Sequence, residues 1–314
     1  MAYRSAGKRS VEVAEAPRIF DRDLQRRRRL RARRAAPVDF LLRHVARELV
    51  ERLLLVNRSF SVVADIGTPG DALRALMRPQ LAAADVIAVD PLALRWRRDE
   101  PLQVAADEEA LPFADSSLDL AVSALALHVV NDLPGTLVQI RRALKPDGLF
   151  LAALLGGETL TELRQAFAAA EAEIDGGVSP RVAPFADVRE LGGLLQRAGF
   201  ALPVVDCDRV TVRYATPFDL MRDLRGMGAT NTLVERRRTP LKRVIVQRVA
   251  EIYAERFGDP DGRLRASFDI VWLSGWAPHE SQQRPLRPGA AKARLADALK
   301  TIELPAGEKT KKFD

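Results

Sequence analysis

The stretch that most constrains this chain is residues 61–70, S-V-V-A-D-I-G-T-P-G. An apolar run that ends on an acidic residue and breaks at glycine reads as a buried strand feeding a tight turn and then a helix. In an open parallel sheet that junction borders the ligand crevice, because the crevice lies beyond the carboxyl ends of the strands and glycine lets the backbone approach closely. Such a junction demands further strands and crossover helices, and the sequence supplies them. Strands are expected at 61–66, 85–90, 102–105, 118–123 and 148–154. Helical patterns separate most of them, with Leu73, Leu76 and Met77 in the first gap and Leu137, Ile140 and Leu144 in the fourth. Strands alternating with helices imply right-handed crossovers and a parallel sheet covered on both faces.

The flanks extend this core. Leu41, Leu42, Val45, Ala46, Leu49, Val50, Leu53 and Leu54 recur on one helix face, as expected of an amphipathic helix packed on the domain that follows. Beyond Gly156 a helix is expected over 159–174, then a Gly-Pro-rich loop over 176–184. A further helix carrying Val188, Leu191, Leu194 and Leu195 ends at Gly199, a C-cap glycine. The β-rich stretches 203–214 and 267–276 are read as the last two strands of the same sheet, one of them antiparallel. The domain plan is a basic arm over 1–35, one α/β domain over 36–277, and a tail over 278–314 whose Pro, Gly, Lys and Gln content predicts poor order.

Charge and composition narrow the partners. The net charge is +7, and the eight arginines between Phe20 and Ala35, set against Asp21 and Asp23, account for six of those charges. The basicity is local, so the arm is either a solvated segment or a surface that meets an acidic partner, an anionic substrate or the site itself. No aromatic side chains are interleaved with the arginines and no groove-reading motif follows, so nucleic acid is not expected. Glu12, Glu15, Asp21 and Asp23 argue against a mitochondrial transit peptide. The single cysteine, Cys207, excludes an intrachain disulfide framework. No apolar run is long enough to span a membrane. Together these features predict a cytoplasmic protein.

The chemistry-bearing residues fall at strand ends. Asp65 closes the first strand, and Gly67 and Gly70 flank Thr68 and Pro69 before a helix begins near Asp71. Asp90, ending the second strand, is placed to accept hydrogen bonds from two ribose hydroxyls, or else to cap the turn before Pro91. Asp107 and Glu108 come after the third strand, where a carboxylate takes an adenine amino group or caps the next helix or turn. His128 follows the fourth strand with Asp132 nearby, either a general acid–base pair or a histidine packed at the sheet edge. The sequence holds only His44, His128 and His279, and it shows no pattern of two histidines and a carboxylate for a metal.

The succession D-I-G, V-D, A-D-E-E-A-L-P-F, L-D-L-A-V-S-A-L-A-L-H, N-D-L-P and L-K-P-D-G resembles class I S-adenosylmethionine-dependent methyltransferases. More narrowly, the chain is similar to the group containing the mitochondrial complex I assembly factor that acts as a protein-arginine hydroxylase. The segments outside the core that carry this likeness are I-F-D-R-D-L, F-A-D-V-R-E-L-G, M-R-D-L-R-G-M-G and G-W-A-P-H-E-S-Q. The malonyl-carrier-protein methyltransferase of biotin synthesis is a relative in the core. The resemblance implies a Rossmann-like sheet, mostly parallel with one antiparallel strand and helices on both faces. It also implies S-adenosylmethionine as cofactor, held by Asp65, Gly67, Gly70, Asp90, Asp107 and Glu108. The implied activity is modification of a protein side chain during assembly of respiratory NADH dehydrogenase, a complex I subunit being the protein partner. The alternatives are a non-catalytic assembly factor and a carrier-protein or small-molecule O-methyltransferase. The family's glycine loop reads D-x-G-x-G-x-G, whereas here Pro69 and Asp71 stand at the second and third glycines. Either Gly70 takes over by a one-residue shift, or cofactor affinity is weakened or lost.

Overall fold

Strands β1 (Val62–Ile66), β2 (Asp85–Val89), β3 (Gln103–Val104), β4 (Leu118–Ala124), β5 (Leu144–Leu155), β6 (Ala201–Tyr214) and β7 (Leu264–Trp276) form one sheet in the order β3-β2-β1-β4-β5-β7-β6. The computed structural model describes residues 18–35, 37–92, 102–283 and 295–301. Strands β1 to β5 pair in parallel, and β7 runs antiparallel between β5 and β6. The strand order reverses between β1 and β4, the switch point beyond which such sheets open a crevice. The expected architecture, including one antiparallel strand among the last two, is what the chain adopts.

Side-chain alternation explains the layering. On β5, Leu149, Leu151 and Ala153 enter one core while Phe150, Ala152 and Leu154 enter the other, so both faces of this strand are apolar. The first core is closed by α2 (Phe40–Leu54), α3 (Ala72–Met77), α5 (Thr161–Asp175), α7 (Pro217–Gly226) and α8 (Arg243–Phe257). The second is closed by α4 (Leu133–Ala143) and α6 (Val188–Arg197). The stripe on α2 is buried as expected, through Leu41, Val45, Ala46, Leu49, Val50 and Leu53. Helix α6 stops two residues before Gly199, whose φ of 87° is the left-handed geometry that ends helices.

Two strands differ from expectation. β3 keeps only two paired residues, shorter than the expected 102–105. β5 begins at Leu144, directly from α4, rather than at 148: Leu144 pairs with Leu118, then the register shifts and the ladder resumes at Leu149. Pro146, which has no N–H, and Asp147 at φ 65° interrupt the pairing between them.

The basic arm, where described, is a helix, α1 (Arg22–Arg34). Asp21 caps it by accepting from Leu24 N–H at 2.9 Å, and Arg31, Arg33 and Arg34 in its last turn complement the helix dipole. Its start is tied down: Asn131 Oδ1 accepts from the N–H groups of Ile19 and Phe20, and Asp21 N–H donates to Thr232 O at 2.8 Å. Gly228, at φ 73°, lets the chain pass under α1, since a Cβ there would stand 3.0 Å from Arg29 Cα. The rest of the arm, residues 1–17, lies outside the described residues. His279–Asp314 forms a second compact unit. Its described residues include the short helix α9 (Leu295–Leu299), and most of the tail expected to be poorly ordered lies outside the described residues.

Candidate cofactor and acceptor site

Parallel pairing puts the carboxyl ends of β1, β2, β3 and β4 at one sheet edge, and the residues singled out in the sequence meet there. Gly67 N–H donates to Val89 O at 2.8 Å, and Thr68 Oγ1 accepts from Ala124 N–H at 2.9 Å, so the glycine loop is stitched to both neighbouring strands. Gly67 sits at φ 71° with Glu108 pressed on it, so closely that a Cβ would lie 2.7 Å from Glu108 Cγ. Gly70 also has positive φ, 73°, but faces open space. It borders a cavity of about 740 Å³ whose wall includes Pro69, Asp71, Arg29 and Arg33.

Arg74, unremarked in the sequence, fixes this loop. One turn into α3, it donates from Nη1 to Asp65 Oδ2 at 2.6 Å, from Nη2 to Gly70 O at 2.6 Å and from Nε to Asp71 Oδ1 at 3.0 Å. Arg74 and Asp65 are both buried. Burial pushes the Asp65 carboxyl up to about 6, against the pull of Arg74. Asp65 Oδ1 is sealed from solvent without a hydrogen-bond partner. An arginine three residues past a turn aspartate is the local signal for this staple; its pairing with Asp65 becomes visible only once the strand and helix are packed.

Asp90, Asp107 and Glu108 converge as expected, and all three are engaged by α1. Arg33 reaches Asp90 at 2.6 Å, Arg22 and Arg26 hold Asp107, and Arg22 and Arg29 hold Glu108. Burial would raise Asp107, but the Glu109 N–H and the guanidinium groups of Arg22 and Arg26 outweigh it and keep this carboxyl below its usual range.

Next to this edge is a second cavity, of about 340 Å³, walled by Leu125, Leu163, Phe167, Phe185, Met221 and Leu224 among other apolar side chains. His128 lines it, its ring 5.8 Å from that of Phe185. Part of the ring surface is open to the cavity, yet Nδ1 is sealed and has no hydrogen-bond partner. Burial, aided by the charge of Arg29, drives its pKa down to about 3, so the imidazole is neutral at physiological pH. Asp132 does not join it. That carboxylate is exposed and caps α4, accepting from Gly135 N–H at 2.8 Å, which is the ordinary work of an aspartate before a Pro-containing first turn. The expected His128–Asp132 pair is therefore a lone neutral histidine beside a helix cap. Among the described residues no group of three His, Cys, Asp or Glu is arranged to hold a metal ion.

A family model described as a methyltransferase domain matches residues 64–152. Arginine-hydroxylase NDUFAF5, mitochondrial, of Danio rerio is 38% identical over 303 residues, covering 94% of each chain. The chain belongs to this methyltransferase family. The Homo sapiens protein of the same name is also 38% identical, over 97% of this chain and 93% of its own. The malonyl-[acyl-carrier protein] O-methyltransferase of Halorhodospira halophila is 38% identical over 81% and 86% respectively. The solved structure of BH2331 from Bacillus halodurans superposes with a TM-score of 0.50 at 16% identity, over 74% of this chain and 99% of that one, a likeness of fold. As a methyltransferase-family enzyme the chain has S-adenosylmethionine as its cofactor. Two features of the structure fit that molecule: the partnerless Asp65 Oδ1 can accept from an ammonium group, and the open face of Gly70 leaves room beside the loop. No described helix is long and apolar enough to cross a membrane.

Proposed function

We propose that this enzyme modifies a side chain of a protein partner during assembly of respiratory NADH dehydrogenase. The observation that carries the reading is the origin of the roof over the acceptor cavity. Gln25 and Arg29 of α1 and Met221, Leu224, Met227, Gly228 and Asn231 of the α7 region supply it. These segments lie outside the common methyltransferase core. They are covered by the NDUFAF5 relatives, which match 94% and 97% of the chain.

The cofactor, when bound, supplies an electrophilic methyl group on a sulfonium. The protein's part is positional: Asp65 and the Gly67–Gly70 loop receive the methionine end, Asp90 the ribose, and Asp107 or Glu108 the adenine amino group. His128, neutral on the cavity wall, helps position the acceptor rather than removing its proton, since a group with a pKa near 3 is a weak base at pH 7. The apolar wall excludes water and fixes the approach, and positioning of this kind can supply much of the rate enhancement. The cytoplasmic placement read from the sequence belongs to this proposal.

A second reading, methylation of an acyl-carrier-borne or other small carboxyl acceptor, is favoured by one observation. The charged side chains lining the cavity are Arg29, Arg181 and Arg225, with no carboxylate among them, which suits an anionic or apolar group. Intact-mass spectrometry of the respiratory complex purified from a deletion strain separates the two. A subunit lacking a methyl or oxygen increment supports the first; unchanged masses throughout would sink it.

A further inference from the structure

The arginines of α1 at 22, 26, 29 and 33 follow a four-three-four spacing, which sets them on one helix face. That face meets the strand tips, and it leaves few acceptors there free. Asp90 receives Arg33 on Oδ2 and Leu92 N–H on Oδ1, at 2.6 and 2.9 Å. Asp107 receives Arg22 and Glu109 N–H on Oδ1, each at 3.0 Å, and Arg26 on Oδ2. Glu108 receives Arg22 and Arg29, and Gly67 O receives Arg29 at 2.7 Å. The hydroxyls of a ribose and the amino group of a purine are donors, and these are the carboxylates assigned to them. The methionine half is treated differently: Gly70 is open and Asp65 Oδ1 is unclaimed.

We propose that α1 is an arginine gate over the nucleoside half of the cofactor site, so that the nucleoside and the four guanidinium groups hold the same carboxylates in alternation. The proposal rests on the assignment of those carboxylates to the cofactor. The construction of α1 suits a movable element. Its buried residues are Gln25, Arg29 and Ala32, so it is held by charge pairs more than by apolar burial, and it joins α2 through non-helical residues at 35 and 37–39. Salt screens the partly exposed Arg33–Asp90 and Arg26–Asp107 pairs, and the buried Arg22–Glu108 and Arg29–Glu108 pairs much less. With its start held by Asn131 and Thr232, opening would pivot there, with slack from the residues at 35 and 37–39, and free Asp90 under Arg33 first.

Calorimetric titration of the full chain with S-adenosylmethionine and S-adenosylhomocysteine, at low and high sodium chloride, tests the gate. Arg33→Gln should bind about threefold more tightly than wild type and Arg22→Gln/Arg33→Gln about tenfold, the range expected from partly exposed and more buried pairs. Wild-type affinity should rise with salt, and hydrogen exchange of the α1 amides should speed up when cofactor is added. If the double variant fails to fold by circular dichroism, Arg33→Gln and the wild-type salt series carry the test. Weaker or unchanged binding in the variants, or greater protection of α1 in the complex, overturns the gate while leaving the cofactor in place. No heat from any form would remove the cofactor assignment and the gate with it.

Discussion

Replacing Arg74 by alanine should destabilise the protein strongly at pH 8 and weakly at pH 5. The arginine is the counter-charge that Asp65 touches in a site where both side chains are buried. Removing one partner of a buried pair leaves the other uncompensated, at about 3–5 kcal/mol. The pH dependence follows from Asp65 itself. Its folded pKa, about 6, lies above the ordinary 3.8, so the folded state holds a proton that the unfolded state has released, and stability falls as pH rises from about 4 to about 6. That rise corresponds to about 3 kcal/mol, a loss that Arg74 already limits. At pH 5 Asp65 is mostly protonated in the native protein, and the arginine then contributes hydrogen bonds to a neutral carboxyl and to Gly70 O, about 1–2 kcal/mol. In thermal melts the deficit should read as about 5–10 °C at pH 8 and less than half of that at pH 5. A deficit of equal size at both pH values, or larger at pH 5, would refute the account of Asp65 as an ionised, arginine-neutralised group.

Two further outcomes are expected. Gly67→Ala should lower stability by about 1–3 kcal/mol, because its Cβ strains a left-handed turn and runs into Glu108; the melt should shift and cofactor affinity should drop, while Gly70→Ala, with open space around it, should spare stability more. His128, with its pKa held near 3, should leave no inflection in the pH–rate profile around 6.5; since the unfolded state takes up its proton first, stability should decline as pH falls from 6.5 toward 3, and His128→Leu should remove that part of the decline in denaturant titrations.

The strands and the carboxylates at their tips were legible because both depend on local pattern: apolar runs of strand length, each closed by an acidic residue or glycine. What faces those carboxylates was less legible. The block of arginines reads as a charged arm when counted, yet the spacing of 22, 26, 29 and 33 already encodes one helix face. Nothing local says that this face turns inward, since that depends on Phe20 bridging to Leu233 and on Asn131, more than a hundred residues downstream. Asp132 misleads for the opposite reason: its neighbourhood in sequence to His128 suggests chemistry, while its local geometry, before Leu-Pro-Gly, is a helix start. The depressed basicity of His128 comes from burial against a remote wall and from Arg29, neither of which has a sequence signature.

The clamp on Asn131 has a practical consequence. Its side-chain amide grips the backbone at Ile19 and Phe20, three residues along the chain from the cavity histidine. A fluorophore coupled at the exposed position 19 would therefore report, by a change in emission, whether the start of α1 stays on Asn131. A bulky group attached there would strain the same clamp.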